Sequence, residues 1–216
     1  TNKQLEERDY YNRYCNEILK KCENKNIDIV LVDDKLLEYI KTNYQGYSFI
    51  SSTTKCLSQF DKLKEEINNP NYSMICLDYN LNKNKKIFTL TAEEKDKCEF
   101  LINAICPPGC PYRKEHYRLN SIFSLNYGKS YTMEGCKIQY NCLYPSLAFG
   151  SNNLTPDEIF NTYEPAGFKY FKIEGRTLNI IENICILVNY MVKPEYQLYV
   201  ITELVSTYNA EHNIKI

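Results

Sequence analysis

Tryptophan is absent from the 216 residues, glycine occurs 7 times and histidine only twice. No stretch approaches the roughly 18 consecutive apolar residues of a membrane span. The opening TNKQLEERDYYNRYC has neither the basic flank nor the apolar centre of a signal peptide. Together these absences predict a cytoplasmic protein with no membrane partner. Charge of one sign is also missing. The formal net charge is -1, with acidic and basic residues interleaved, which excludes the electrostatic footprint of a general nucleic-acid binder and leaves room only for a local basic groove. HExxH, GxSxG, the P-loop and the dinucleotide fingerprint do not occur. Abundant Lys, Asn, Ile and Tyr beside the missing Trp read as the usage of an AT-rich genome rather than as a functional signal.

What the chain does have is cysteine, 10 in all. In a small secreted protein that number suggests disulfides, but without a secretory signal it predicts reduced thiols, buried or bound to metal. Cys15, Cys22, Cys56, Cys76, Cys98 and Cys185 are scattered singly through apolar or helical contexts. Cys106, Cys110, Cys136 and Cys142 fall together in the most irregular part of the sequence.

The length suits a single domain with a real core. Residues 3–23 carry apolar side chains close to a helical period, which predicts a first helix. IDIVLVDD (27–34), YSFISSTT (47–54) and YSMICLDYNL (72–81) are short β-branched or apolar runs of the kind that form buried strands. They alternate with helical spacing in DKLLEYIKTNY (34–44) and LSQFDKLKEEINN (57–69). TAEEKDK (91–97) predicts a short helix and CEFLINAIC (98–106) a further strand. In LTPDEIFNTYEPAG (154–167), Thr155 is an N-cap, Pro156 holds the first helical position and Gly167 stands near the stop. FKYFKIEGR (168–176) then reads as a strand and TLNIIENICILVNYMVK (177–193) as an apolar helix. Residues 118–154 show no clear period. The succession amounts to about five parallel βα units, an α/β fold that closes an open sheet or a barrel. A full eight-unit barrel takes about 250 residues, and this chain opens on a helix. The expectation is one domain over 1–216, a parallel (β/α) barrel or partial barrel lacking one or two N-terminal units, with an irregular cysteine-rich segment at 106–153 and a partner chain as one way of completing it.

The chemistry concentrates at 106–117, CPPGCPYRKEHY. Strand FLINAI feeds directly into Cys106, and in α/β folds the loops after the strand ends carry the site. The PPG between Cys106 and Cys110 is a rigid reversal that holds two sulfurs on one side. With Cys136 and Cys142 they make four thiols, enough for zinc or an iron–sulfur cluster. Three residues separate the first pair and five the second; the first spacing suits either metal and the second tilts toward a cluster. Inert buried thiols are the bland alternative.

On the helix predicted after Pro111, His116 is a candidate ligand, acid, base or anion donor, and Arg113 a bidentate carboxylate binder. Otherwise both lie on a solvated helix face. Lys172, Glu174 and Arg176 of KIEGR alternate along a strand end and so share one side, facing either a substrate or a neighbouring strand. Asp33, Asp34 and Asp78 sit near strand ends, where capping and turn formation are their ordinary work.

NAICPPGCPYRKEHY (103–117) and LTPDEIFNTYEPAGFKYFKIEGR (154–176) together resemble the collagenase-like peptidase family, the U-thirty-two peptidases. Members of that family look like (β/α) barrels with a cysteine-rich loop after one strand and a late KIEGR or KISGR strand. The better understood relatives look like iron–sulfur proteins that support oxygen-independent hydroxylation of an RNA base or a quinone precursor, with prephenate as an oxygen source in some. The resemblance implies an iron–sulfur cluster of the 4Fe–4S type held by Cys106, Cys110, Cys136 and Cys142, with zinc as the alternative. It implies an RNA or small-molecule substrate and a small anionic co-substrate met by Arg113, His116, Lys172 and Arg176, with Glu174 in the same late motif. The spacing departs from the hydroxylase relatives, whose first two cysteines stand further apart. A peptidase and a noncatalytic zinc-braced half-barrel are the other readings. For the peptidase, Pro107 and Pro111 remove backbone N–H groups that an oxyanion hole would use.

Overall fold

The computed structural model describes residues 5–104, 106, 108–125, 152–175 and 179–212. Its centre is a five-stranded sheet in the order β1-β2-β3-β4-β5, every neighbouring pair parallel. The strands are β1 (Ile27–Leu31), β2 (Tyr47–Ser51), β3 (Met74–Cys76), β4 (Cys98–Leu101) and β5 (Tyr170–Lys172). Spatial order follows chain order without the reversal of a doubly wound sheet, which is the winding of a barrel. The sheet is not closed. It is an α/β fold, as expected from the sequence.

Helices occupy the connections: α1 (Glu7–Tyr10) and α2 (Arg13–Cys22) before β1, then α3 (Asp34–Asn43), α4 (Phe60–Ile67), α5 (Ala92–Lys95), α6 (Arg113–Leu125) and α7 (Pro156–Glu158) between strands. After β5 come α8 (Ile180–Met191) and α9 (Pro194–Glu211), packed on each other. Capping explains many of the boundaries. Asp33 accepts from Leu36 N at 2.9 Å to open α3, and Thr91, Thr155 and Asn179 each form a reciprocal capping box. Asn12 accepts from Cys15 N at 3.0 Å, and this cap divides into α1 and α2 what periodicity reads as one helix. Gly46, at φ 74°, is required by a close approach: a Cβ there would lie 2.6 Å from Asn24 Cα.

Further expectations change, and the strands read over 98–106 and 168–176 shorten to Cys98–Leu101 and Tyr170–Lys172. The strand predicted over 72–81 ends at Cys76, because Asp78 and Asn84 side chains accept backbone N–H groups and turn the chain into short 3₁₀ segments. The stretch without a clear period begins instead with helix, since α6 runs through Leu125. Its three charged residues in the first turn and mixed face give little amphipathic signal.

One face of the sheet carries the main core. Phe49, Ile75, Leu77, Phe100 and Ile102 pack with Leu37 and Ile40 of α3 and Leu63 and Ile67 of α4. Phe100 meets Phe168 and Tyr163 edge-on, with centroids 4.9 and 5.3 Å apart. The other face presents Val30, Ile50, Met74, Cys76, Glu99, Leu101, Tyr170 and Lys172. There Val30 is 49% exposed and Tyr170 41%, unusual for a parallel sheet, which is ordinarily covered on both sides. Among the described residues no helix is long and apolar enough to cross a membrane.

A polar clamp joins β2 to the helices around it. Lys55 Nζ donates to Asp34 at 2.7 Å, Glu66 at 2.7 Å and Tyr72 OH at 2.9 Å. Burial opposes the charge on Lys55, but these three partners outweigh it and hold its pKa above the usual lysine value. Burial likewise pushes the Asp34 carboxyl up, while the hydrogen bonds from Lys55 and Tyr72 bring it below the usual aspartate value. The lysine contribution is therefore present below its unfolded pKa and lost as pH rises through the elevated folded value. The aspartate contribution is present above about pH 3.9 and lost as pH falls through the lowered folded value. Urea midpoints measured from pH 2 to 6 will show a smaller acid loss in Asp34→Asn than in the natural chain; identical slopes would remove Asp34 from the clamp.

Candidate functional site

The carboxyl ends of the strands converge on one buried cation. Arg113, in the first turn of α6, donates from Nη1 to Asp78 Oδ2 at 2.6 Å, and their side chains are 4% and 0% exposed. Nη2 reaches Thr53 O and Thr53 Oγ1, both at 3.2 Å, and Nε donates to Tyr117 OH at 3.1 Å. The guanidinium lies over the Tyr79 ring at 4.1 Å and near the Tyr117 ring at 5.3 Å. One side chain thus joins the segments after β2 and β3 to the helix that follows β4. Burial works against its charge, but Tyr117, Asp78 and Tyr79 outweigh burial and keep the pKa above the ordinary arginine value.

Asp78 uses its other oxygen locally, accepting from Asn80 N and Nδ2, each at 2.9 Å. Asn80 in turn accepts from Gly109 N at 2.9 Å through Oδ1. Gly109, at φ 67°, is the reversal between Cys106 and Cys110. A hydrogen-bonded path therefore runs from Arg113 through Asp78 and Asn80 to the middle of the thiol loop, and Arg113 N returns to Cys110 O at 3.4 Å.

Cys106 is partly buried against Cys76, Tyr79, Leu101 and Ala104, and Cys110 is partly buried as well. Burial raises the Tyr79 and Tyr117 phenols, the latter to about 12; the nearby Arg113 lowers both and Cys106 raises both. Glu174, just beyond β5, also raises Tyr117. Its backbone is clasped by the fully buried Asn103: Nδ2 donates to Glu174 O and Glu174 N donates to Oδ1, both at 2.6 Å. The end of β5 and the cysteine loop are thereby held at the same end of the sheet.

The candidate residues named from sequence are placed as follows. Cys106 and Cys110 flank the Gly109 reversal, both partly buried. Arg113 is buried and its guanidinium makes four internal donor contacts, so it is engaged within the protein. The imidazole of His116 stacks on Tyr117 at a centroid separation of 6.4 Å, and among the described residues no hydrogen bond joins it to a thiol or carboxylate. Lys172 pairs with Glu99 of the adjacent strand at 2.9 Å. Glu174 reaches the surroundings of Tyr117. Cys136, Cys142 and Arg176 lie outside the described residues. Among those described, no three His, Cys, Asp or Glu residues are grouped to hold a metal ion, and the loop contributes two described thiols, Cys106 and Cys110. That chemistry fits a soft, thiolate-preferring metal and not a hard oxygen-ligated one.

Several participants were not evident in the sequence. Asp78 reads as a turn residue and is one, yet its second oxygen carries the ion pair. Tyr79, Asn80, Asn103 and Tyr117 had no signal beyond an Asp-x-Asn turn pattern. Cys56, with φ 57°, stands in the left-handed region near Arg113. Burial raises its thiol and those of Cys76 and Cys98, the latter two to about 12. Burial therefore disfavours the thiolate form in all three.

Arg113→Met leaves a buried carboxylate without its cation, and such a break costs about 3–5 kcal/mol. Adding Asp78→Asn will recover part of that loss, because the stranded charge is removed. Urea unfolding of the single and double variants reads both effects, and a loss below about 1 kcal/mol in Arg113→Met would mean that the pair is not a structural anchor.

No protein-family model, no curated protein and no solved structure matches the chain.

Proposed function

We propose that the protein is an iron–sulfur enzyme of the collagenase-like peptidase type, supporting oxygen-independent hydroxylation or a related redox modification of an RNA base or small molecule. The observation that carries this reading is the thiol loop itself: it leaves β4 at the site-bearing end of a parallel sheet and is tied there through Asn80 and the Arg113–Asp78 pair. Those contacts support the loop backbone at Gly109 and Cys110, between and beside its two sulfurs. Cys106 and Cys110 would hold the metal, with Cys136 and Cys142 as the remaining ligands. A bound cluster would supply electron transfer at this end of the sheet. The chain's own residues would surround it: Tyr79 packs in the same apolar cluster as Cys106, and Glu174 and Lys172 stand at the end of β5.

Arg113 is engaged internally and Lys172 is paired with Glu99, so the anionic co-substrate falls first to Arg176 and His116, with Lys172 beside them. The eight described cysteines are free thiols. The uncovered sheet face and the edges of β1 and β5 favour further βα units, from a longer polypeptide or a partner chain, completing the barrel. A cysteine peptidase built on Cys106 or Cys110 needs a base that takes the thiol proton, and among the described residues no hydrogen bond joins His116 to either thiol.

Metal and acid-labile sulfide analysis of anaerobically purified protein tests the proposal. The natural chain is expected to carry iron with sulfide and a visible absorption band, both lost in Cys110→Ser. Zinc alone would replace the redox reading by a braced scaffold, and no metal at all would remove it.

A further inference from the structure

A groove of about 480 Å³ opens between α2 and α3, remote in the chain from the thiol loop. Its walls are the rings of Tyr11, Tyr39 and Tyr44 and the cationic side chains of Arg13, Lys20 and Lys21. Asn16 sets its floor. The amide Nδ2 donates to Tyr10 O and Asn12 O, both at 2.8 Å, while Oδ1 accepts from Tyr39 OH at 2.9 Å and from Tyr44 OH. Both phenol hydroxyls are therefore spent inside the protein, and the rings are fixed before anything binds. What they offer a ligand is aromatic surface, to which Tyr11, 71% exposed, adds a third ring.

The charges are not balanced. Arg13 pairs with Glu17 at 2.7 Å, so these two cancel. Lys20 and Lys21 make no ion pair or side-chain hydrogen bond among the described residues. The neighbouring Glu23 carboxylate accepts from Gln45 N at 3.1 Å. Lysines in the last turn of a helix complement its carbonyl end, but that role requires no aromatic wall. Two unpaired ammonium groups beside three rings match a ligand that carries an anion and a flat, apolar face together.

We propose that this groove binds a nucleotide unit, its phosphate against Lys20 and Lys21 and its base on the tyrosine surface. The site stands apart from the thiol loop and does not depend on the redox reading. A near-neutral chain can hold it because only a local field is needed. The unit belongs either to a free mononucleotide or to a single strand, and the test separates the two.

Fluorescence anisotropy with a 5′-labelled, mixed-sequence RNA decamer, and competition by AMP, provide the readout. Binding is expected to weaken at least tenfold in Lys20→Glu/Lys21→Glu and several-fold in Tyr11→Ala, with circular dichroism unchanged. The slope of log affinity against log salt should fall by about 1.4 when both lysines are replaced, at roughly 0.7 per phosphate contact. Lys85→Glu/Lys86→Glu, outside the groove, should leave affinity within twofold. Competition by millimolar AMP assigns the site to mononucleotides, and binding of the decamer without such competition assigns it to a strand. Absence of binding by both probes, or equal affinity in the natural and Lys20→Glu/Lys21→Glu proteins, overturns the proposal. Loss of metal from the thiol loop would leave it standing.

Discussion

The Arg113–Asp78 pair is the constraint on which the candidate site depends. A guanidinium and a carboxylate this deeply buried are stable only when nearly every donor and lone pair finds a partner. Here Thr53, Tyr117 and Asn80 provide those partners, and each belongs to a different segment at the same end of the sheet. Satisfying one cation therefore fixes three connections relative to one another. The position of the thiol loop follows, because Gly109 N is held by the same Asn80 that Asp78 organises. A hydrophobic replacement of similar shape could be equally stable, but it would not carry direction into the loop.

The two faces of the sheet divide the work. One is filled by α3, α4 and the aromatic group around Phe100, and it makes the core. The other carries the Glu99–Lys172 pair among partly exposed apolar residues. Charges on the inner side of a parallel sheet belong to a polar cavity or to a contact yet to be made. Asn103 joins this face to the site by holding the end of β5 beside β4.

The fold class and most elements were legible because the apolar runs are short and the caps are ordinary: Asp33, Thr155 and Pro156 do what their types predict. Boundaries failed where side chains compete with the ladder, as at Asp78, and where a polar helix has little period, as in α6. The cysteine loop was legible from Cys106, Pro107, Gly109 and Cys110 alone. Its support was not. Arg113 and Asp78 are 35 residues apart, and a charge that looks solvent-facing on a helix can be buried only by a contact that local pattern does not encode. The groove at α2 and α3 was foreseen only as an allowance for a local basic patch, since Asn16 draws Tyr39 and Tyr44 from a different helix.

X-ray absorption at the metal edge of anaerobically prepared, full-length chain tests the central claim most directly, because it reports which atoms surround the metal. The account predicts iron with a first shell of sulfur at about 2.3 Å, the distance typical of metal–thiolate bonds, and a second shell of iron. A first shell of nitrogen and oxygen, or no metal at the edge, would contradict it and return the thiol loop to a structural role.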